Sequence, residues 1–114
     1  MSDCMWTIES ALELIRTIEP QARERFHCFI GLCGGVVRNG SSDKDLDLML
    51  IPMNGDETPH PRGLVLFLGE LLKVEFKTVN SMHYNRQKIT PLAFYGAALE
   101  DGRRIELIIQ DFLP

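Results

Sequence analysis

Residues 28–52, CFIGLCGGVVRNGSSDKDLDLMLIP, contain two apolar segments separated by a polar, glycine-rich segment. The first runs from Cys28 to Leu32 and ends at Gly34-Gly35, which predicts a buried strand that enters a tight turn. The second runs from Leu46 to Pro52 and predicts a strand whose successive side chains point to opposite faces. One predicted face carries Asp45, Asp47, Met49 and Ile51, and the other carries Leu46, Leu48 and Leu50.

The rest of the chain supplies helices and three further strands around this pair. Apolar residues at intervals of three and four predict a helix from Thr7 to about His27, kinked or divided at Pro20. Because Ser10 and Glu13 form a possible capping box, the ordered helix is expected to begin a turn after Thr7. A second helix is predicted over residues 64–72 and a strand over 74–79. Residues 92–99 and 104–110 flank Asp101-Gly102, a favoured two-residue hairpin turn.

This element order predicts the fold class: α/β (α+β), with a single mixed sheet flanked by helices. The 114 residues, 45% of them hydrophobic and 25% charged, fit one globular domain over residues 1–114. The net charge of −4 argues against bulk electrostatic binding of nucleic acid. No apolar stretch approaches the ~20 residues that a transmembrane helix needs, and no signal peptide is recognisable. Three cysteines, Cys4, Cys28 and Cys33, suggest free thiols, so we expect a cytoplasmic protein without a membrane partner.

Two acidic features point to metal chemistry. Asp45 and Asp47 project from one face of a strand, where two like charges repel each other and favour a cation between them. Oxygen ligands of this kind suit Mg²⁺, which completes its shell with water and substrate phosphate. Glu106 interrupts the apolar strand 105–109, and it could lie beside the pair and complete a two-metal cluster. A salt bridge from Glu106 to Arg103 or Arg104 would also explain it, and Lys44 could partly neutralise the pair without metal.

The glycine pair and Arg38 favour a phosphate ligand near the acids. A Gly-Gly turn lets backbone amides approach a ligand closely, and an arginine binds phosphate oxygens in a forked geometry. Either glycine could instead serve only a turn, and Arg38 could be an ordinary surface arginine. Farther along the chain, Tyr84, Arg86 and Lys88 form a possible acceptor or nucleotide patch.

The motif Cys33-Gly34-Gly35, followed by Asp45-Leu46-Asp47-Leu48 and by Ile105-Glu106-Leu107, resembles the signature of the DNA polymerase beta-like nucleotidyltransferase superfamily. The part from Gly34 to Arg38 is most similar to the corresponding segment of tRNA nucleotidyltransferases and bacterial poly(A) polymerases. The resemblance implies a polymerase beta-like fold and transfer of a nucleoside monophosphate from a nucleoside triphosphate to a hydroxyl, with release of pyrophosphate. It implies two Mg²⁺ ions, or Mn²⁺, held by Asp45, Asp47 and Glu106. Gly34 and Gly35 would hold the triphosphate with help from Arg38.

The same resemblance leaves the acceptor open: a protein, a small molecule or an RNA end. The third acid is Glu rather than the commoner Asp, and the chain stops at Pro114 without the helical domain that many members use for recognition. We therefore expect a homodimer or a partner protein to supply acceptor recognition. The alternative is a catalytically silent domain of the same fold that binds nucleotide or a partner as a regulator. Retention of all three acids favours the enzyme.

Overall fold

A five-stranded mixed sheet forms the centre of the molecule. The computed structural model describes residues 5–52, 61–78 and 92–110. The helices are α1 (Ile8–Phe26), α2 (Gly35–Asn39) and α3 (Pro61–Leu72). The strands are β1 (Trp6–Thr7), β2 (Cys28–Cys33), β3 (Ser41–Ser42), β4 (Asp45–Pro52), β5 (Lys77–Thr78), β6 (Leu92–Ala98) and β7 (Arg104–Gln110).

The strand order of the sheet is β2-β4-β7-β6-β5, and β1 pairs separately with β3. Only the β4–β7 pairing is parallel within this sheet as described, and the other three pairings are antiparallel. The parallel pairing brings together two strands that lie far apart in sequence. The two parallel strands begin at the same end of the sheet, and their first residues, Asp45 and Arg104, are direct partners.

Helices α1 and α3 bury one face of this sheet. The expected alternation along β4 is confirmed, because Leu46, Leu48 and Leu50 are at most 2% exposed whereas Met49 is 36% exposed. The helices contribute apolar side chains to the same core, which also includes three residues of β7: Ala11, Ile18, Ala22, Leu64, Leu68, Ile105, Leu107 and Ile109. Burial of each leucine or isoleucine stabilises the fold by about 1.5–3 kcal/mol. The acidic residues of β4 therefore lie on the opposite face, away from α1 and α3.

The predicted mixed sheet flanked by helices is confirmed, but several boundaries were wrong. Helix α1 starts at Ile8 and is capped by Thr7, which forms its capping box with Ser10 rather than Ser10 with Glu13. The helix also continues through Pro20, which lies on its exposed side. Water can therefore bond the carbonyl that the missing proline N–H leaves without a partner.

The strand predicted over residues 74–79 is reduced to Lys77–Thr78 in the described part of the chain. Helix α3 ends in a left-handed turn at Lys73, and the Val74 amide donates back to the Gly69 carbonyl at 2.9 Å. This bond gives a partner to a carbonyl group at the end of the helix, and the chain enters the sheet only at Lys77.

The final hairpin is present, but its connection is longer than two residues. The Gly102 amide donates to the Leu99 carbonyl, and the Leu99 amide donates to the Arg103 carbonyl. Gly102 has a φ of 94°. This is a three-residue loop, in which a turn is followed by a glycine at positive φ.

Candidate functional site

Three acidic side chains meet on the sheet face opposite helices α1 and α3. Asp47 is the direct partner of Glu106 in the parallel β4–β7 ladder, and Asp45 precedes Asp47 by two residues. Residues that pair directly in a sheet project to the same face, as do residues two apart along a strand. The structure thus brings together Asp45, Asp47 and Glu106, and the protonated carboxyl group of Glu106 donates a hydrogen bond to Asp45.

Gly34 makes room for the Asp47 carboxylate. Its φ is 74° and its ψ is −147°, a backbone conformation that is largely restricted to glycine. A Cβ atom at this position would overlap the carboxylate of Asp47. The first glycine of the pair is therefore required both by its backbone angles and by the close approach of the acid.

The second glycine binds Asp47 directly. Burial raises the pKa of the Asp47 carboxyl group, and the charge of Asp45 raises it further. Two groups oppose this rise: the nearby charge of Arg38 and a hydrogen bond from the backbone amide of Gly35. The amide that the sequence assigned to a triphosphate is thus directed at the acid, where it stabilises the carboxylate form.

Among the described residues, Glu106 has a strongly raised pKa. Its pKa rises from 4.5 to about 7, first because of burial and then because of its hydrogen bond to Asp45 and the charges of Asp47 and Asp45. Arg104 lowers it in part. The charges of Asp47 and Asp45 thus oppose ionisation of Glu106 more than Arg104 favours it, and a cation bound on this face would favour the ionised form.

Arg104 forms an ion pair with the acid cluster, at Asp45 rather than at Glu106. Arg104 Nε lies 3.3 Å from Asp45 Oδ1, and Arg103 instead pairs with Asp101 at 2.9 Å. Within the described part of the chain, Lys44 forms no ion pair with either aspartate. Arg104 of β7, rather than Lys44, therefore provides the positive charge that pairs with Asp45.

A cleft of about 630 Å³ opens beside Asp45 and Asp47. Besides these two acids, the cleft is lined by a third acid, two cations, an amide and two hydroxyl groups, together with Gly35: Asp43, Arg38, Lys44, Asn39, Ser41 and Ser42. Both cations are exposed. A cleft lined by acids together with cations and hydroxyl groups can hold an anionic ligand through bridging metal ions.

The sequence indicated no role in the site for Cys33, and it offered Arg104 as a partner of Glu106 rather than of Asp45. Cys33 is the β2 partner of Asp47, and its thiol donates to the Asp47 carbonyl at 3.5 Å. Burial raises the pKa of the Cys33 thiol, and the charges of Asp47 and Glu106 raise it further. Strand alternation from Asp47 could have located Cys33 only if the β2–β4 register had been known.

The donor set suits a hard divalent ion, although its members do not surround one in this conformation. Across the described residues, no three His, Cys, Asp or Glu side chains are arranged as a ready metal-binding group. The acids instead contact each other and Arg104. Mg²⁺ and Mn²⁺ nevertheless bind carboxylate oxygens of this kind. The contacts with Arg104 relieve only part of the repulsion among the three acids.

The possible patch of Tyr84, Arg86 and Lys88 lies outside the described residues, and so does Cys4. In the part of the chain that is described, no helix is long and apolar enough to cross a membrane.

No family model, curated protein or solved structure matches the chain.

Proposed function

We propose that this protein is a metal-dependent nucleotidyltransferase of the polymerase beta-like kind. It would transfer a nucleoside monophosphate from a nucleoside triphosphate to a hydroxyl group of a protein, a small molecule or an RNA end. The observation that carries the proposal is the register of β4 and β7. It places Glu106 beside Asp47 on the face that carries Asp45, next to a cleft with cations on its wall.

The reaction requires the acceptor oxygen to bond to the α-phosphorus while the bond from that phosphorus to the bridging oxygen breaks. Pyrophosphate leaves, and the hydroxyl proton passes to solvent. Asp45, Asp47 and Glu106 would hold two Mg²⁺ or Mn²⁺ ions, which supply neutralisation of the triphosphate and a more acidic acceptor hydroxyl. In-line transfer of this type depends mainly on positioning and charge stabilisation.

The chain's own residues would position the donor. Arg38 and Lys44 would bind phosphate oxygens along the cleft wall, and the hydroxyl groups of Ser41 and Ser42 would donate hydrogen bonds to them. Gly35 lines the same cleft, so its backbone would lie beside the triphosphate while its amide holds Asp47. Gly34 would contribute indirectly, because a residue with a Cβ atom at this position would overlap the Asp47 carboxylate.

One observation favours the second candidate, a silent domain that binds nucleotide or a partner protein as a regulator. The ion pair of Arg104 with Asp45, together with the bond between Glu106 and Asp45, gives the acids partners without metal. A silent domain would keep these contacts when nucleotide binds, whereas an enzyme would exchange them for metal ions.

The experiment compares nucleoside triphosphates labelled at the α- or the γ-phosphate, with Mn²⁺ or Mg²⁺ and a cell extract as the source of acceptors. We expect the α label alone to enter a product, because the γ-phosphate leaves in pyrophosphate. Asp47→Asn and Glu106→Gln should abolish labelling, while Glu100→Gln, a matched change at an exposed turn residue, should preserve it. Equal labelling by wild type and Asp47→Asn, or transfer of the γ label, would contradict the proposal.

A further inference from the structure

Arg104 forms an ion pair with Asp45, one of the acids that would bind the proposed metal ions. It is the direct strand partner of Asp45, and its Nε lies 3.3 Å from Asp45 Oδ1. The guanidinium group is positively charged, so this contact partly neutralises the Asp45 carboxylate. A divalent ion at Asp45 would approach the same carboxylate and meet the positive charge of Arg104.

The backbone of Arg104 is anchored in the fold, whereas its side chain is largely exposed. The Trp6 indole N–H donates to the Arg104 carbonyl at 2.8 Å, and Trp6 is 1% exposed. Arg103 stacks over the Trp6 ring, with its guanidinium carbon 4.2 Å from the ring centroid. The Arg104 side chain itself is 53% exposed. The strand therefore fixes the root of the side chain beside Asp45, while solvent surrounds much of it.

We propose that Arg104 is a positioning residue that acts as an internal competitor of the metal ion. It holds the Asp45 carboxylate in the metal-free protein and must release it when a divalent ion binds. This inference rests on the proposed function, because it takes Asp45 as a metal ligand. It adds that metal affinity is lowered by a cation from this chain, and that the exchange at Asp45 accompanies loading of the site.

The expected size of the effect follows from the exposure of the pair. Ion pairs between partly exposed side chains shift an equilibrium by about two- to fivefold. Removing the guanidinium charge should therefore tighten binding of a divalent ion by that factor. Arg104→Lys retains a cation on the same strand position and should bind the ion within about twofold of wild type.

The test measures binding of Mn²⁺ alone by titration calorimetry, without nucleotide, in wild type, Arg104→Gln, Arg104→Lys, Lys44→Gln and Asp47→Asn. Lys44→Gln is the matched control, because it removes a positive charge next to Asp45 that forms no ion pair among the described residues. We expect Arg104→Gln to bind about two- to fivefold more tightly than wild type, and Lys44→Gln to change the affinity by less than half as much. Circular dichroism verifies that each variant is folded.

The outcomes separate this inference from the proposed function. If wild type binds Mn²⁺ and Asp47→Asn does not, but Arg104→Gln binds no more tightly than wild type, the competitor role is wrong and the metal site stands. An equal gain in Lys44→Gln would also overturn it, since any nearby charge would then have the same effect. If Asp47→Asn binds Mn²⁺ as well as wild type does, the metal site itself fails.

Discussion

Replacing Glu106 by glutamine should stabilise the metal-free protein at pH 8 but much less at pH 4.5. The pKa of Glu106 rises from 4.5 in its ordinary setting to about 7 in the folded protein. As the pH increases past 4.5, the unfolded chain releases this proton while the folded chain retains it. Folding stability therefore falls between pH 4.5 and 7 and stays low above pH 7. Glutamine has no proton to release, so the variant lacks this fall.

The size of the effect follows from the pKa difference and the exposure of the side chain. At full weight, a pKa change from 4.5 to about 7 corresponds to about 3 kcal/mol of folding free energy. Glu106 is only partly buried, so water screens its interactions and we expect about 1–2 kcal/mol. For a domain of this length that is a difference in melting temperature of about 4–8 °C. The glutamine amide can still donate a hydrogen bond to Asp45, as the protonated acid does.

The assay is urea or thermal unfolding at pH 4.5 and pH 8 with a chelator present, so that no divalent ion neutralises the acids. The free-energy difference between Glu106→Gln and wild type should grow by about 1–2 kcal/mol from the lower to the higher pH. Glu100→Gln, in the exposed hairpin turn, should show no such growth. A difference between Glu106→Gln and wild type that is the same at both pH values would refute the reasoning.

Two further changes test how the site is built. Gly34→Ala should destabilise the fold by about 1–3 kcal/mol, because φ is positive and the new Cβ atom meets Asp47. Gly40→Ala, also at positive φ but with open space around the Cβ position, should cost about 1 kcal/mol in urea unfolding, and equal losses would show that contact with Asp47 is unimportant. Trp6→Phe should lose about 1 kcal/mol, because the hydrogen bond to the Arg104 carbonyl disappears; unchanged urea unfolding would contradict this.

The alternation of polar and apolar residues in β4 predicted its faces correctly, because one-sided burial leaves a strong period of two. The buried face of β7 follows the same rule at Ile105, Leu107 and Ile109. The opposite face of β7 departs from this rule. Ile108 is only 8% exposed, although it shares that face with Glu106. Alternation identifies which residues lie together on a strand, but it does not say how completely each face is covered.

The contacts within the site were harder to predict, because they depend on pairing between distant strands. Nothing in the sequence around Arg104 indicates that it becomes the partner of Asp45, since parallel register is set by the packing of the whole sheet. The same holds for Cys33 and Asp47 across β2 and β4. The glycine pair was singled out correctly as unusual, but the direction of the Gly35 amide required the position of Asp47 in space.

The central claim is that the acids of β4 and β7 form a metal-dependent site for a nucleoside triphosphate. The most direct measurement is the thermal shift produced by a panel of α,β-methylene nucleoside triphosphates, with and without Mg²⁺, in wild type and in Asp45→Asn/Asp47→Asn. At a hundred times its dissociation constant, a ligand stabilises wild type by about 2.7 kcal/mol, a shift of several degrees. We expect this shift only when Mg²⁺ is present, and we expect the double variant to lose it. An equal Mg²⁺-dependent shift in wild type and the double variant would contradict the account.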